Sequence, residues 1–341
     1  MGRMLLILIL LSIFVLSCTS ESRNGEVSVD LLHVTEDSLC YSSFVDSISY
    51  IVLEDNDDCL IGSVSDVIMD DEYIFVLDDK QQTVWIFSRE GNYLNSINRC
   101  GSGPEEYLRL AQFEYDKQEN ELLILDGWTK SIIHYSLDGA FKKRNVLDVY
   151  CSDFKQINEG YILSMLGGVD DFGGIYHYSL NEGKSKKLLG RSYNLSCSYN
   201  WELVSYDGNI GLMAPPLDNV LYRCCLNGDL QEHIPFRVYP QPSHNYENDD
   251  TMEHLSDFVR TNYLESTRWV YATFWCTDYD LRVFLYDKNN RKAYVGKKLF
   301  NDMDGIPFTA MTSACDDNSF VFGALRNGLD SNPVLQILHL K

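Results

Sequence analysis

Residues 98–113, "NRCGSGPEEYLRLAQF", place two glycines two apart, then a proline and a pair of carboxylates. Glycine-rich loops cradle phosphate when a lysine and free backbone amides follow them. Here Gly103 is followed by Pro104, which has no N–H to donate, and then by Glu105 and Glu106, which repel an anion. A dinucleotide fingerprint needs a third glycine opening a helix, and that position is Glu106. The stretch therefore reads as a sharp turn between strands. Gly101 and Gly103 permit the turn, Pro104 fixes it, and Tyr107 is free to pack.

Other chemistries leave fainter traces. No G-x-S-x-G elbow marks a nucleophile. The seven histidines lack a local partner pattern, and His134 and His177 sit at equivalent places in "IIHYSL" and "IYHYSL" as strand residues with one exposed face. Carboxylates cluster in "LEDNDDC" (53–59) and in "GGVDDFGG" (167–174), where Asp170 and Asp171 stand at the tip. Hard oxygens in a flexible loop suit calcium, but neither loop has the twelve-residue EF-hand spacing. No cofactor is expected, calcium being the one cation such loops could take. Ten cysteines include no C-x-x-C pair and no zinc spacing. Nine remain after Cys18, so at most one disulfide is expected.

The elements that must position any site are short strands. "EYIFVLD" (72–78), "VWIFS" (84–88), "ELLILD" (121–126), "SIIHYSL" (131–137), "LRVFLYD" (281–287) and "VLQILHL" (334–340) are rich in β-branched and aromatic residues and bounded by Gly, Asn or Asp. Long helical periodicity is absent, apart from a stretch near 251–264 that suits a short helix or turn. The strands repeat. "VLDDKQQTVWIFSREGNYL" (76–94) aligns with "ILDGWTKSIIHYSLDGAFK" (124–142), setting Asp78 on Asp126, Phe87 on Tyr135 and Gly91 on Gly139. The glycine supplies the positive φ of a tight hairpin turn. The unit recurs with decay around Gly183 and Gly228, and Asn289–Asn290 take the glycine's place in "YDKNNRKAY". Residues 236–250 read as an exposed loop.

Six such units predict an all-β, six-bladed β-propeller of four-stranded antiparallel blades. The last unit has only three strands, and "FVDSISYIVLE" (44–54) would close the ring as its fourth, removing two open edges at once. The innermost strands would then include residues 62–70, 110–116 and 150–157. Asp66, Gln112 and Asp153 would face the channel or its solvated rim. Trp128, in the turn "LDGWTKS", is the aromatic most exposed to a ligand, and Trp201 would begin an inner strand.

Bulk properties narrow the function. The 341 residues are 45% hydrophobic and 13% aromatic, enough for a sizeable core. A net charge of −22, from 50 acidic and 28 basic residues, argues against nucleic acid as a partner and against electrostatic docking on anionic lipid.

The N-terminus, "MGRMLLILILLSIFVLSC", has Arg3 before an apolar run too short for a comfortable membrane span. Its ending resembles the lipobox of bacterial lipoproteins. The resemblance implies cleavage before Cys18, lipidation of that thiol, and a cell-envelope location with the membrane touched only through acyl chains. The organisation is then a signal peptide (1–17), a tether and lead-in (18–40) and a propeller domain (41–341). "G-x-G-P-E-E-Y" after the "EGNYL" hairpin, followed by "F-E-Y-D…LLILD", resembles the six-bladed propeller lipoproteins of Bacteroidetes, whose layout is NHL-repeat-like. That resemblance implies the fold and no agreed activity. The expected role is a binding module for a protein or glycan partner; the alternative is a hydrolase or lyase acting in the channel on a sugar-derived or peptide substrate.

Overall fold

The computed structural model describes residues 27–31, 33–165, 174–190, 203–206, 208–214, 220–234, 236–239, 259–275, 280–306, 308–316, 318–324 and 331–341. Cys18, Asp170, Asp171, Trp201 and the whole signal segment lie outside them.

Near-continuous apolar runs let the middle strands bury both faces between neighbouring sheets while the outer strands stay half-exposed, and six antiparallel sheets result. From the channel outwards, the first blade is Asp66–Met69, Tyr73–Asp78, Thr83–Ser88 and Tyr93–Ile97. The second is Leu110–Asp116, Glu121–Asp126, Ser131–Ser136 and Phe141–Val146. The third is Asp153–Ile157, Gly160–Met165, Gly174–Ser179 and Lys184–Gly190. The fourth is Leu203–Tyr206, Asn209–Ala214, Val220–Cys225 and Leu230–Ile234. The fifth is Val259–Glu265, Trp269–Trp275, Leu281–Asp287 and Lys292–Phe300.

The sixth blade takes Phe308–Asp316, Ser319–Ala324 and Val334–Leu340 from the end of the chain. Its outer strand is Val45–Val52, antiparallel to Val334–Leu340 with Ile51 opposite Leu335. The ring is therefore sealed as the sequence predicts. Phe44 locks the seam. It is fully buried, edge-on to Tyr41 and Trp269 with ring centroids 6.0 Å away in each case.

The lead-in contributes two further strands. Glu36–Cys40 adds in parallel to Lys292–Phe300, making the fifth blade five-stranded, and Val27–Asp30 pairs in parallel with Phe236–Tyr239. This corrects the reading of 236–250 as loop throughout: its first four residues are strand, and 240–250 lie outside the described residues. The helix or turn expected near 251–264 is also corrected. From Val259 the segment is the innermost strand of blade five, and 251–258 are not described. In both cases the pairing partner is far away in sequence, so a local window cannot reveal it.

Buried aromatics fill the blade interfaces. Phe75, Tyr107, Phe113 and Tyr135 join the first two blades in one apolar cluster. The predicted hairpin glycines Gly91 and Gly139 do adopt positive φ, +92° and +81°. In blade five, however, that conformation falls on Arg291 (φ +54°) and not on Asn289 or Asn290. Asp287 is the reason: its carboxylate accepts the amides of both asparagines at 3.0 and 3.3 Å and passes the reversal to the next residue.

Candidate functional site

The stretch 98–113 crosses from the outer strand of blade one to the inner strand of blade two. Tyr107 is fully buried between them, with its hydroxyl donating to the Gln82 carbonyl at 2.6 Å. Neither glycine has positive φ. They serve space: a Cβ on Gly101 would collide with the Glu106 carboxylate, which folds back to accept the Gly103 amide at 2.8 Å. The loop's amide thus meets the chain's own anion.

Where this loop meets the hairpin turn of blade two, one carboxylate organises both. Asp126 is fully buried and accepts the amides of Leu108 (3.0 Å), Arg109 (3.3 Å), Trp128 (3.1 Å) and Thr129 (3.4 Å), plus the Thr129 hydroxyl (2.6 Å). Burial alone would raise its pKa, but these donors hold it below the usual carboxylate value. Asp78, its counterpart 48 residues earlier, makes equivalent hydrogen bonds in blade one, accepting the amides of Gly62, Lys80 and Gln81. The side chain of Trp128 is held out from this rigid turn, 65% exposed.

Trp128 stands at the edge of a cleft of about 370 Å³ at the mouth of the channel. Asp66, Gln112 and Asp153 line it, together with Asp79, Arg109 and Ser152. Four sequence-selected residues therefore share one cavity. The innermost strands place three of them by the same local device. Asp66, Gln112 and Asp153 each turn a side-chain oxygen back onto the next amide, at 2.8, 2.9 and 2.8 Å. The second oxygen of Asp153 accepts the Leu203 amide of blade four at 3.0 Å. Arg109 is exposed, and the Lys130 ammonium lies 5.0 Å from the ring centre of Tyr150 on the same loop face.

Deeper in the channel is a pair that sequence reasoning missed. Lys155 of blade three, buried, and Glu114 of blade two, partly buried, form an ion pair. Asp153 and Asp66 add further negative potential around the ammonium. Burial would lower the lysine's pKa, yet Glu114, Asp153 and Asp66 outweigh it and raise it. One cation shared among three acids leaves the acids under-compensated. Burial pushes Glu114 up to about 7 against the pull of Lys155. It pushes Asp153 up to about 6, with Asp66 adding to the rise. The signal was present in the alternation Gln112, Glu114, Asp116 and Asp153, Lys155, which puts polar residues on one side of strands otherwise read as apolar.

The histidine expectation needs correction. His134 is buried on both faces at the interface of blades two and three. Its Nδ1 meets the Glu121 carboxylate and its Nε2 the Tyr161 hydroxyl, each at 3.0 Å, and burial lowers its pKa. It is a neutral, hydrogen-bonded core residue. Among the described residues no group of three or more His, Cys, Asp or Glu is arranged to hold a metal. Cys40, Cys59, Cys100, Cys151, Cys224 and Cys225 are free thiols.

The architecture recurs in solved structures. A Bacteroides fragilis protein, by name an exported one, superposes with a TM-score of 0.74 at 16% identity, over 92% of this chain and 99% of that one. A Bacteroides vulgatus member of the DUF4221 family gives 0.55 at 8% identity, over 87% and 97%. Identities this low establish the fold and not a shared activity. The sequence matches no curated protein. From Val27, the first residue of the strand laid on blade four's trailing segment, to Gly328, the chain carries the pattern of one family, and it belongs to that family: the domain of unknown function DUF4934.

Proposed function

We propose that this protein is a lipid-anchored propeller of the cell envelope that binds a protein or glycan partner at its channel mouth. The observation that carries the reading is the position of Trp128, a large apolar side chain held in water by a rigid turn at the edge of a polar cleft. Exposed aromatics fixed in this way give contact area at little entropic cost. The acidic cleft and the net charge of −22 favour neutral or cationic partners over anionic ones. The anchor rests on the N-terminal segment ending at Cys18, and the similarity to a protein named as exported supports passage out of the cytoplasm. Membrane fractionation of wild type and Cys18→Ser, with metabolic labelling by a fatty-acid probe, tests the anchor. Label on the Cys18→Ser variant, or none on wild type, refutes it. Affinity capture with wild type and Trp128→Ala tests the cleft, which requires a partner retained by the first and lost by the second.

One observation favours a second reading, channel catalysis. Glu114 and Asp153, with pKa values pushed up to about 7 and about 6, are acids poised near neutrality. Turnover of a sugar-derived or peptide substrate, abolished in Asp153→Asn, would establish it over the binding role.

A further inference from the structure

We infer that the ligand of the channel-mouth cleft is an uncharged saccharide, with one ring stacked on Trp128 and its hydroxyls held by the cleft's charged side chains. The inference rests on the binding reading above and names its ligand class. Three features carry it. First, the turn that carries Trp128 is fixed without its indole: Asp126 accepts the amides of Trp128 and Thr129 and the Thr129 hydroxyl, the Gly127 amide donates to the Arg109 carbonyl, and Trp128 itself stays 65% exposed. A flat apolar face held in water suits the C–H face of a pyranose ring.

Second, the cleft mixes strong acceptors with donors. Asp66, Asp79 and Asp153 offer carboxylate oxygens, and Arg109, Gln112 and Ser152 can donate. Adjacent hydroxyls, each both donor and acceptor, match such a set. An apolar peptide side chain would make use of none of these donors and acceptors. Third, the field selects. Asp66 and Asp153 are both nine-tenths buried or more, and Glu114 is paired with Lys155, so one inner ammonium is shared among three acids and a uronate, sialate or phosphate would meet a net negative cleft with Arg109 as the exposed counter-charge. A volume of about 370 Å³ accommodates one or two rings, at the lower end of small-molecule sites.

The test uses the full chain carrying Cys18→Ser and isotope-labelled tryptophan. It is titrated to about 10 mM with cellobiose, lactose and chitobiose, with digalacturonate, and with a trilysine peptide. The expected result is saturable movement of the Trp128 indole N–H resonance by at least one uncharged disaccharide. Affinity, read by titration calorimetry so that the variants need no indole at position 128, should drop about tenfold or more in Trp128→Ala, with partial rescue by Trp128→Phe, and also drop in Arg109→Ala. Both altered residues are exposed, so the folded spectrum should persist. Saturation by none of the three uncharged sugars overturns the inference, as does equal or tighter binding of digalacturonate or trilysine. If the sugars fail while a partner is still captured in a Trp128-dependent way, the binding role stands and only the ligand class falls.

Discussion

The amides of Arg109 and Trp128 are held by one and the same atom, Oδ1 of Asp126, at 3.3 and 3.1 Å. A loop between blades and a turn within a blade are thereby fixed to each other at the edge of the cleft. Replacing Asp126 by Ala strands several part-buried donors at once. The unfolding free energy in urea is expected to fall by about 2–4 kcal/mol, and affinity at the cleft should fall with it.

Stability should peak in mild acid. Glu114 and Asp153 have pKa values raised by burial to about 7 and about 6, from ordinary values of 4.5 and 3.8. The folded state holds these protons more tightly, so the stability they give is complete below the ordinary values and lost as pH rises through 6 and 7. Asp126 and Asp287 run the other way. Burial would raise them, but Thr129 with its neighbouring amides, and Arg268 with the asparagine amides, hold them low, so their contribution disappears as pH falls through their depressed values. Thermal unfolding across pH should therefore give a maximum near about pH 5. Glu114→Gln should flatten the neutral limb and leave the acid limb unchanged; an unaltered neutral limb would contradict the assignment.

The seam of the ring is expected to be a point of weakness. Phe44→Ala removes a fully buried ring packed against Tyr41 and Trp269, and should lower stability by about 3–5 kcal/mol. Limited proteolysis should then cut first within residues 45–52. Cleavage elsewhere first would show that another element opens before the seam.

At the crossover loop, Gly101→Ala should cost about 1–2 kcal/mol through the clash with Glu106 and not through backbone strain. The double variant with Glu106→Ala should recover part of that loss. A double-mutant cycle showing simple additivity would exclude the steric explanation.

Much of this fold is readable from the sequence because its rules are local. Strand period, the aspartate that ends a strand, and the glycine two or three residues past the next one all lie within a single hairpin. Gly91 and Gly139 behave accordingly. The failures share a cause as well. Phe236–Tyr239 becomes strand only because Val27–Asp30 lies beside it, a partner far removed along the chain. In the cleft, Asp66, Gln112, Trp128 and Asp153 could be picked by residue type and repeat position. For Glu114 and Lys155 the alternation shows only that they share a polar side of their strands; their pairing is not legible, because it joins strands of different blades. His134 shows the converse: residue type suggested a half-exposed strand position, and only the neighbouring blade's Tyr161 reveals a satisfied core.

Pairing Leu335 with Ile51 and Val334 with Val52 means that the earliest-made part of the domain waits for the last. During synthesis, the 45–52 segment leaves the ribosome long before its mate exists. Contacts of such long range form slowly, and a product stopping before Val334 would keep an open, adhesive β-edge.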